Sequence, residues 1–130
     1  MTTSPVLRSV DAITIPVPSL DEGLAFYRDR LGHRLLWRND AVGQSGLALP
    51  DSSVEVVLTT RHQMEANWLV ESMDTAIHDL LASGARVAAE PSTIPVGRVA
   101  VVIDPFGNPL VLVELTGRYD TATDTGAQTD

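Results

Sequence analysis

The segment DAITIPVPSLDEGLAFYRDRLGHRLLWRND, Asp11 to Asp40, decides the reading of the chain. It opens in alternation. Ile13, Ile15 and Val17 point one way and Ala12, Thr14 and Pro16 the other, as in a strand with one buried face. Pro18 ends that strand. Ser19 is an N-cap signal with Glu22 three residues on, a capping box. Leu20, Leu24, Tyr27 and Leu31 recur at helical spacing and give an apolar stripe. Gly32 closes the helix, and HRLLWR reads as the next strand. Asn39 to Gly46 reads as a loop. GLALP and VEVVLTT read as two further strands, joined by a turn at 50–53. The order is β-α-β-β-β.

The rest of the chain repeats that order. ANWLV is a strand, Ser72 an N-cap, and Met73, Ile77, Leu80 and Leu81 a helix stripe that Gly84 stops. ARVAAEP and RVAVVID are strands, and DPFGNP turns into LVLVEL. Val17, Ser19 and Asp21 recur as Val70, Ser72 and Asp74, each 53 residues on. A shared period together with a shared order of elements identifies an internal repeat. The expected fold is therefore α+β. Two β-α-β-β-β units, about 10–60 and 64–116, form a curved eight-stranded sheet with helices outside and a cleft inside, where small ligands bind. Residues 1–9 and 117–130 read as tails, the second mobile.

At 130 residues the chain reads as one domain. It has no cysteine, which removes disulfides, thiolate metal sites and a cysteine nucleophile. The formal charge is −8 and the nine basic residues, all arginine, are scattered, so no nucleic-acid-binding face is expected. Part of the acidity lies in the final DTATDTGAQTD, and its plainest role is solubility. No apolar stretch approaches the roughly 20 residues of a membrane span. No basic segment followed by an apolar run opens the chain, so the expectation is a cytoplasmic protein. No Ser/His/Asp set, phosphate loop or zinc spacing is present.

IPVPSLDEGLAFYRDRLG, WLVESMDTAIHDLLASGARV and DPFGNPLVLVE together resemble the vicinal oxygen chelate superfamily, also called the glyoxalase/bleomycin-resistance/extradiol dioxygenase family. The likeness spans about residues 10–115. It implies paired units, within one chain or between two. It also implies a cleft that in metal-dependent members carries His, Glu or Gln at four strand positions. In this chain those positions fall on Ala12, Glu55, Glu65 and Val111. Two have no donor atom, and two carboxylates alone would hold a divalent ion weakly. The expected protein is thus a metal-independent, cofactor-free small-molecule binder, for antibiotic or metabolite sequestration. Its expected assembly is a homodimer with shared clefts. The alternative is a lyase, isomerase or dioxygenase-type enzyme, with Glu55 as base or Glu55 and Glu65 in a degenerate metal site.

The candidate ligand-binding residues are Thr14, Trp37, Glu55, Glu65, Asn67, Arg98 and Val111, with Glu55 the candidate catalytic group. A carboxylate inside VEVVL that faces a cleft needs a partner and has a raised pKa. Glu65 starts its strand and is expected at a solvated end. Trp68 alternates with Asn67 and is expected in the core. Relatives that bind bleomycin place a tryptophan where Asn67 aligns. Arg98 is expected solvated, with pairing to a ligand carboxylate or to Glu55 as the alternative. Phe106 is expected to cover the cleft rim or pack beside its turn.

Overall fold

The expected order of elements is realised twice in the computed structural model, which describes residues 5–116. The C-terminal tail anticipated at 117–130 lies outside the described residues. The first set is β1 (Ser9–Pro16), α1 (Leu20–Leu24), β2 (Leu35–Asn39), β3 (Gln44–Leu49) and β4 (Ser52–Thr59). The second is β5 (Glu65–Leu69), α2 (Met73–Ala82), β6 (Arg86–Ile94), β7 (Gly97–Ile103) and β8 (Pro109–Leu115). The class is α+β. Two compact units result, one of Asp11–Ala66 and one of Asn67 onward together with the residues up to Val10.

Strands of the first unit run in the order β2-β3-β4-β1 and those of the second in the order β5-β8-β7-β6. In each, the first strand pairs in parallel with the last, β1 with β4 and β5 with β8. The other neighbours are antiparallel. Parallel partners need a long crossover, and the helix provides part of it.

Helices start where the sequence places them. Ser19 Oγ accepts the Glu22 N–H at 3.1 Å, so the N-cap is formed, while Glu22 Oε2 accepts the Ser19 hydroxyl at 3.1 Å and not the backbone N–H that a full capping box would use. Ser72 Oγ accepts the Thr75 N–H at 3.3 Å. They stop at Gly32 and Gly84, whose φ values of 87° and 104° suit a residue without Cβ. The first helix departs from expectation midway. After Leu24 it widens into a π-helical turn over Ala25–Arg30, and the Leu31 N–H reaches back to Phe26 O. The wider turn carries Leu31 off the apolar stripe, and it is half exposed.

One face of each sheet carries its helix. In the first unit Leu20 and Leu24 lie on Leu47 and Leu58, flanked by Ile15, Val17, Tyr27 and Val56. In the second, Met73 and Ala76 lie on Ala100, Val102 and Leu112, and Trp68 joins them as expected. Burying one such Leu fully is worth about 1.5–3 kcal/mol. Val6 and Leu7, read as tail, pack against this second core, and the Arg8 N–H donates to Leu69 O at 2.9 Å.

Two local expectations are corrected. The loop read at Asn39 to Gly46 shrinks to residues 40–43, because β3 starts at Gln44 and pairs along β4. Phe106 does not pack beside its turn: among the described residues it is 86% exposed. Asp104 Oδ1 accepts the Phe106 and Asn108 N–H groups at 2.8 Å each, and this turn holds the ring outward.

Thr14 is 4% exposed and its hydroxyl is committed within its own unit. It donates to Gln63 O at 2.7 Å and accepts the Glu65 N–H at 3.1 Å, tying the segment after β4 to β1. Thr14→Val keeps the shape and strands both backbone groups. We expect a loss of about 1–3 kcal/mol in denaturant unfolding. A loss near zero would show that the tie carries no stability.

Candidate functional site

The site is built from the sheet face that α1 leaves uncovered. Side chains alternate along a strand, so the register assigns faces. Ala12 pairs with Glu55 and Thr14 with Val57 across β1 and β4. Gly46 pairs with Val57 across β3 and β4, and Trp37 pairs with Gly46 across β2 and β3. Ala12, Thr14, Trp37, Gly46, Glu55 and Val57 therefore share the face opposite the Leu47 and Leu58 core. Ala12 and Val57 are buried there.

Glu55 is the polar centre of that face. It is half-buried, and the Trp37 Nε1–H donates to its Oε1 at 2.7 Å. Trp37 and Glu55 stand on strands separated by β3, so the indole must cross β3 to reach the carboxylate. It does so over Gly46. A Cβ there would collide with the indole nitrogen and stand 2.7 Å from Glu55 Oε1. Burial pushes the Glu55 carboxyl pKa up, the indole hydrogen bond partly opposes this, and the negative Asp11 adds to the rise.

The other sequence candidates are distributed as follows. Glu65 is half-buried at the start of β5, and its backbone rather than its carboxylate meets Thr14. In the second unit Asn67 pairs with Val111 across β5 and β8, on the face away from α2. Val111 is 8% exposed. Arg98 stands apart from this pair. Its Nη1 lies 3.5 Å from Asp74 Oδ1 and 3.7 Å from Glu114 Oε1, beside the start of α2. Glu114 Oε2 also accepts the Met73 N–H at 3.2 Å, so the cluster caps the helix. Neither a solvated Arg98 nor a pair with Glu55 is found: its carboxylate neighbours are Asp74 and Glu114 of its own unit.

Sequence reasoning missed the role of Gly46, which it placed where a loop meets the strand GLALP, and Asp11 as the charged neighbour of Glu55. A glycine between a tryptophan strand and a glutamate strand was the available signal for the first. Two shallow grooves lie elsewhere. One of about 460 Å³ runs between Val6 and Arg8 on one side and Ser72, Thr75 and Asp79 on the other. One of about 320 Å³ lies by His33, Ala48 and Pro50. Neither contains a sequence-named candidate.

The donor set does not fit a metal centre of the kind the resemblance implies. Ala12 and Val111 offer alkyl groups at two of the four positions, and one oxygen of Glu55 already holds an indole N–H. Among the described residues no three His, Asp or Glu side chains converge. His33 Nδ1 lies 3.1 Å from Ala48 O, away from this face, and the His78 side chain is 79% exposed.

The family model of the Glyoxalase/Bleomycin resistance protein/Dioxygenase superfamily matches residues 9–112, and the chain belongs to that superfamily. Solved structures share its fold. A methylmalonyl-CoA epimerase from Mycobacterium tuberculosis is 22% identical, with 95% of this chain and 97% of that one covered and a TM-score of 0.69. A Streptomyces coelicolor methylmalonyl-CoA epimerase variant, in complex with 2-nitronate-propionyl-CoA, is 23% identical, with coverage of 85% and 99% and a TM-score of 0.67. A hypothetical protein from Bacillus halodurans is 20% identical, with coverage of 85% and 96% and a TM-score of 0.66. No curated protein matches the chain. No helix among the described residues is long and apolar enough to cross a membrane.

The raised pKa of Glu55 has a stability consequence with a definite sign. Between the unfolded and folded pKa values the folded chain binds the extra proton, so its stability falls as pH rises through that window. Glu55→Gln removes the titration and leaves an oxygen for the indole. We expect its stability relative to the parent to improve as pH rises from the ordinary glutamate range to neutrality, read by urea unfolding at several pH values. A constant difference would mean that the carboxylate is not desolvated.

Proposed function

We propose that the chain is a metal-independent small-molecule-binding protein whose ligand is anchored on Glu55. The observation that carries this is the Trp37–Glu55 hydrogen bond on a face otherwise lined by Ala12, Val57, Gly46 and a Thr14 hydroxyl already engaged by backbone groups. A half-buried carboxylate with one oxygen tied suits a single ammonium or hydroxyl donor. A net charge of −8 favours approach of a cation. Sequestration of an antibiotic or metabolite by a homodimer is the role this site serves most simply, and sedimentation equilibrium reads the assembly directly.

A thermal-shift screen of a compound library tests the reading, run with the parent and Glu55→Gln, with and without Ni²⁺, Zn²⁺ and Fe²⁺. Hits are expected to raise the melting temperature without added metal. The variant should bind them at least about tenfold more weakly, a change of about 1.4 kcal/mol. A stoichiometric requirement for a divalent ion would overturn the reading.

The raised pKa favours a second reading, in which Glu55 abstracts a proton next to a carbonyl. The epimerases that share the fold make methylmalonyl-CoA the natural probe. On this reading the parent incorporates deuterium from solvent at the carbon between the two carbonyl groups, and Glu55→Gln abolishes incorporation while still binding. Equal exchange in that variant would remove Glu55 from any chemistry.

A further inference from the structure

Glu55 projects from a strand whose neighbour β3 would ordinarily separate it from anything on β2. We propose that Trp37 is the positioning residue of this site: seated on the bare backbone of Gly46, its indole holds Oε1 of Glu55 and presents Oε2 to whatever the site binds. This rests on the reading of Glu55 as the anchor and goes beyond it, because it assigns each oxygen a task.

Three observations carry the assignment. The indole crosses β3 at its one glycine, and any Cβ there would occupy the space of Nε1 and crowd Oε1. The indole N–H can only donate, so its match is an acceptor, and 2.7 Å lies in the range of bonds to an ionised group. Among the described residues Glu55 makes no second hydrogen bond. Glu55 is half-buried and not sealed, which leaves Oε2 for solvent or a ligand.

The charged surroundings are simple. Asp11, on β1, is the charged group that acts on Glu55. On β2, the Arg38 guanidinium is engaged with Asp21 and Asp40. On β3, Gly46 brings no charge. The indole takes one of the two lone-pair sites of Oε1, so Oε2 is the oxygen with both its sites open to a ligand donor. A tryptophan that merely filled space over a glycine would be replaceable by phenylalanine; one that positions a carboxylate would not, since the N–H is what acts.

The test needs no ligand, so its failure is separable from failure of the proposed function, which the screen reads. In a Trp68→Phe background Trp37 is the remaining one of two tryptophans. Its emission is followed from roughly pH 3 to pH 9, a span that brackets a raised carboxyl, alongside the carboxyl-carbon NMR shift of Glu55. The emission is expected to step at the Glu55 midpoint, and the step to vanish in Glu55→Gln. In Trp37→Phe the Glu55 midpoint is expected to rise, since the bond that favoured its charged form is gone. Gly46→Ala should act in the same direction by displacing the indole. A pH-independent emission, or an unchanged midpoint in a folded Trp37→Phe protein, would overturn the proposal. Should that variant fail to fold, the emission of the Trp68→Phe protein decides alone.

Discussion

The parallel pairing of first and last strands within each unit is the constraint on which the rest depends. It obliges the chain to cross over, and the helix forms on that crossover and covers one face. It also sets a register in which Glu55 stands beside Ala12 and Asn67 beside Val111. A slip of one residue would turn Glu55 into the Leu47 and Leu58 core and Leu58 out of it. The buried leucines under α1 hold the register, and the register aims the carboxylate.

A carboxylate on such a face is held against its own solvation. Partial burial disfavours its charge, and Asp11 adds to the penalty. The indole returns part of the cost through one short hydrogen bond, and Gly46 makes that bond sterically feasible. Two residues on adjacent strands thus support one polar group on a third, a larger outlay than an incidental surface glutamate requires. Local groups of this kind, strained against stability, concentrate where proteins bind or react. Thr14 illustrates the opposite case. Its hydroxyl faces the same way, yet it is consumed by backbone partners and serves the connection instead.

Much of the architecture was legible because its signals are local. Serine caps, glycine stops and the change between twofold and 3.6-fold periodicity placed both helices and the order of strands. The 53-residue repeat then implied two units of like order. What escaped depended on neighbours in space. Gln44 and Ser45 have the composition of a loop, and only the ladder with β4 makes them a strand. Leu31 follows the helical spacing, but a π-helical turn rotates it outward. Phe106 is apolar, so packing was the natural expectation, yet the Asp104 hydrogen bonds fix its turn with the ring in solvent. Glu55 could be suspected from VEVVL alone. Its partner could not, because nothing along the chain relates positions 37, 46 and 55 until the strands are paired.

A crystal structure of the protein with a ligand from the metal-free screen bears most directly on the central claim. The ligand donor is expected within about 3.2 Å of Glu55 Oε2, with Trp37 still on Oε1 and no cation between ligand and carboxylate. A ligand seated away from Glu55, or joined to it through a coordinated metal ion, would contradict the claim.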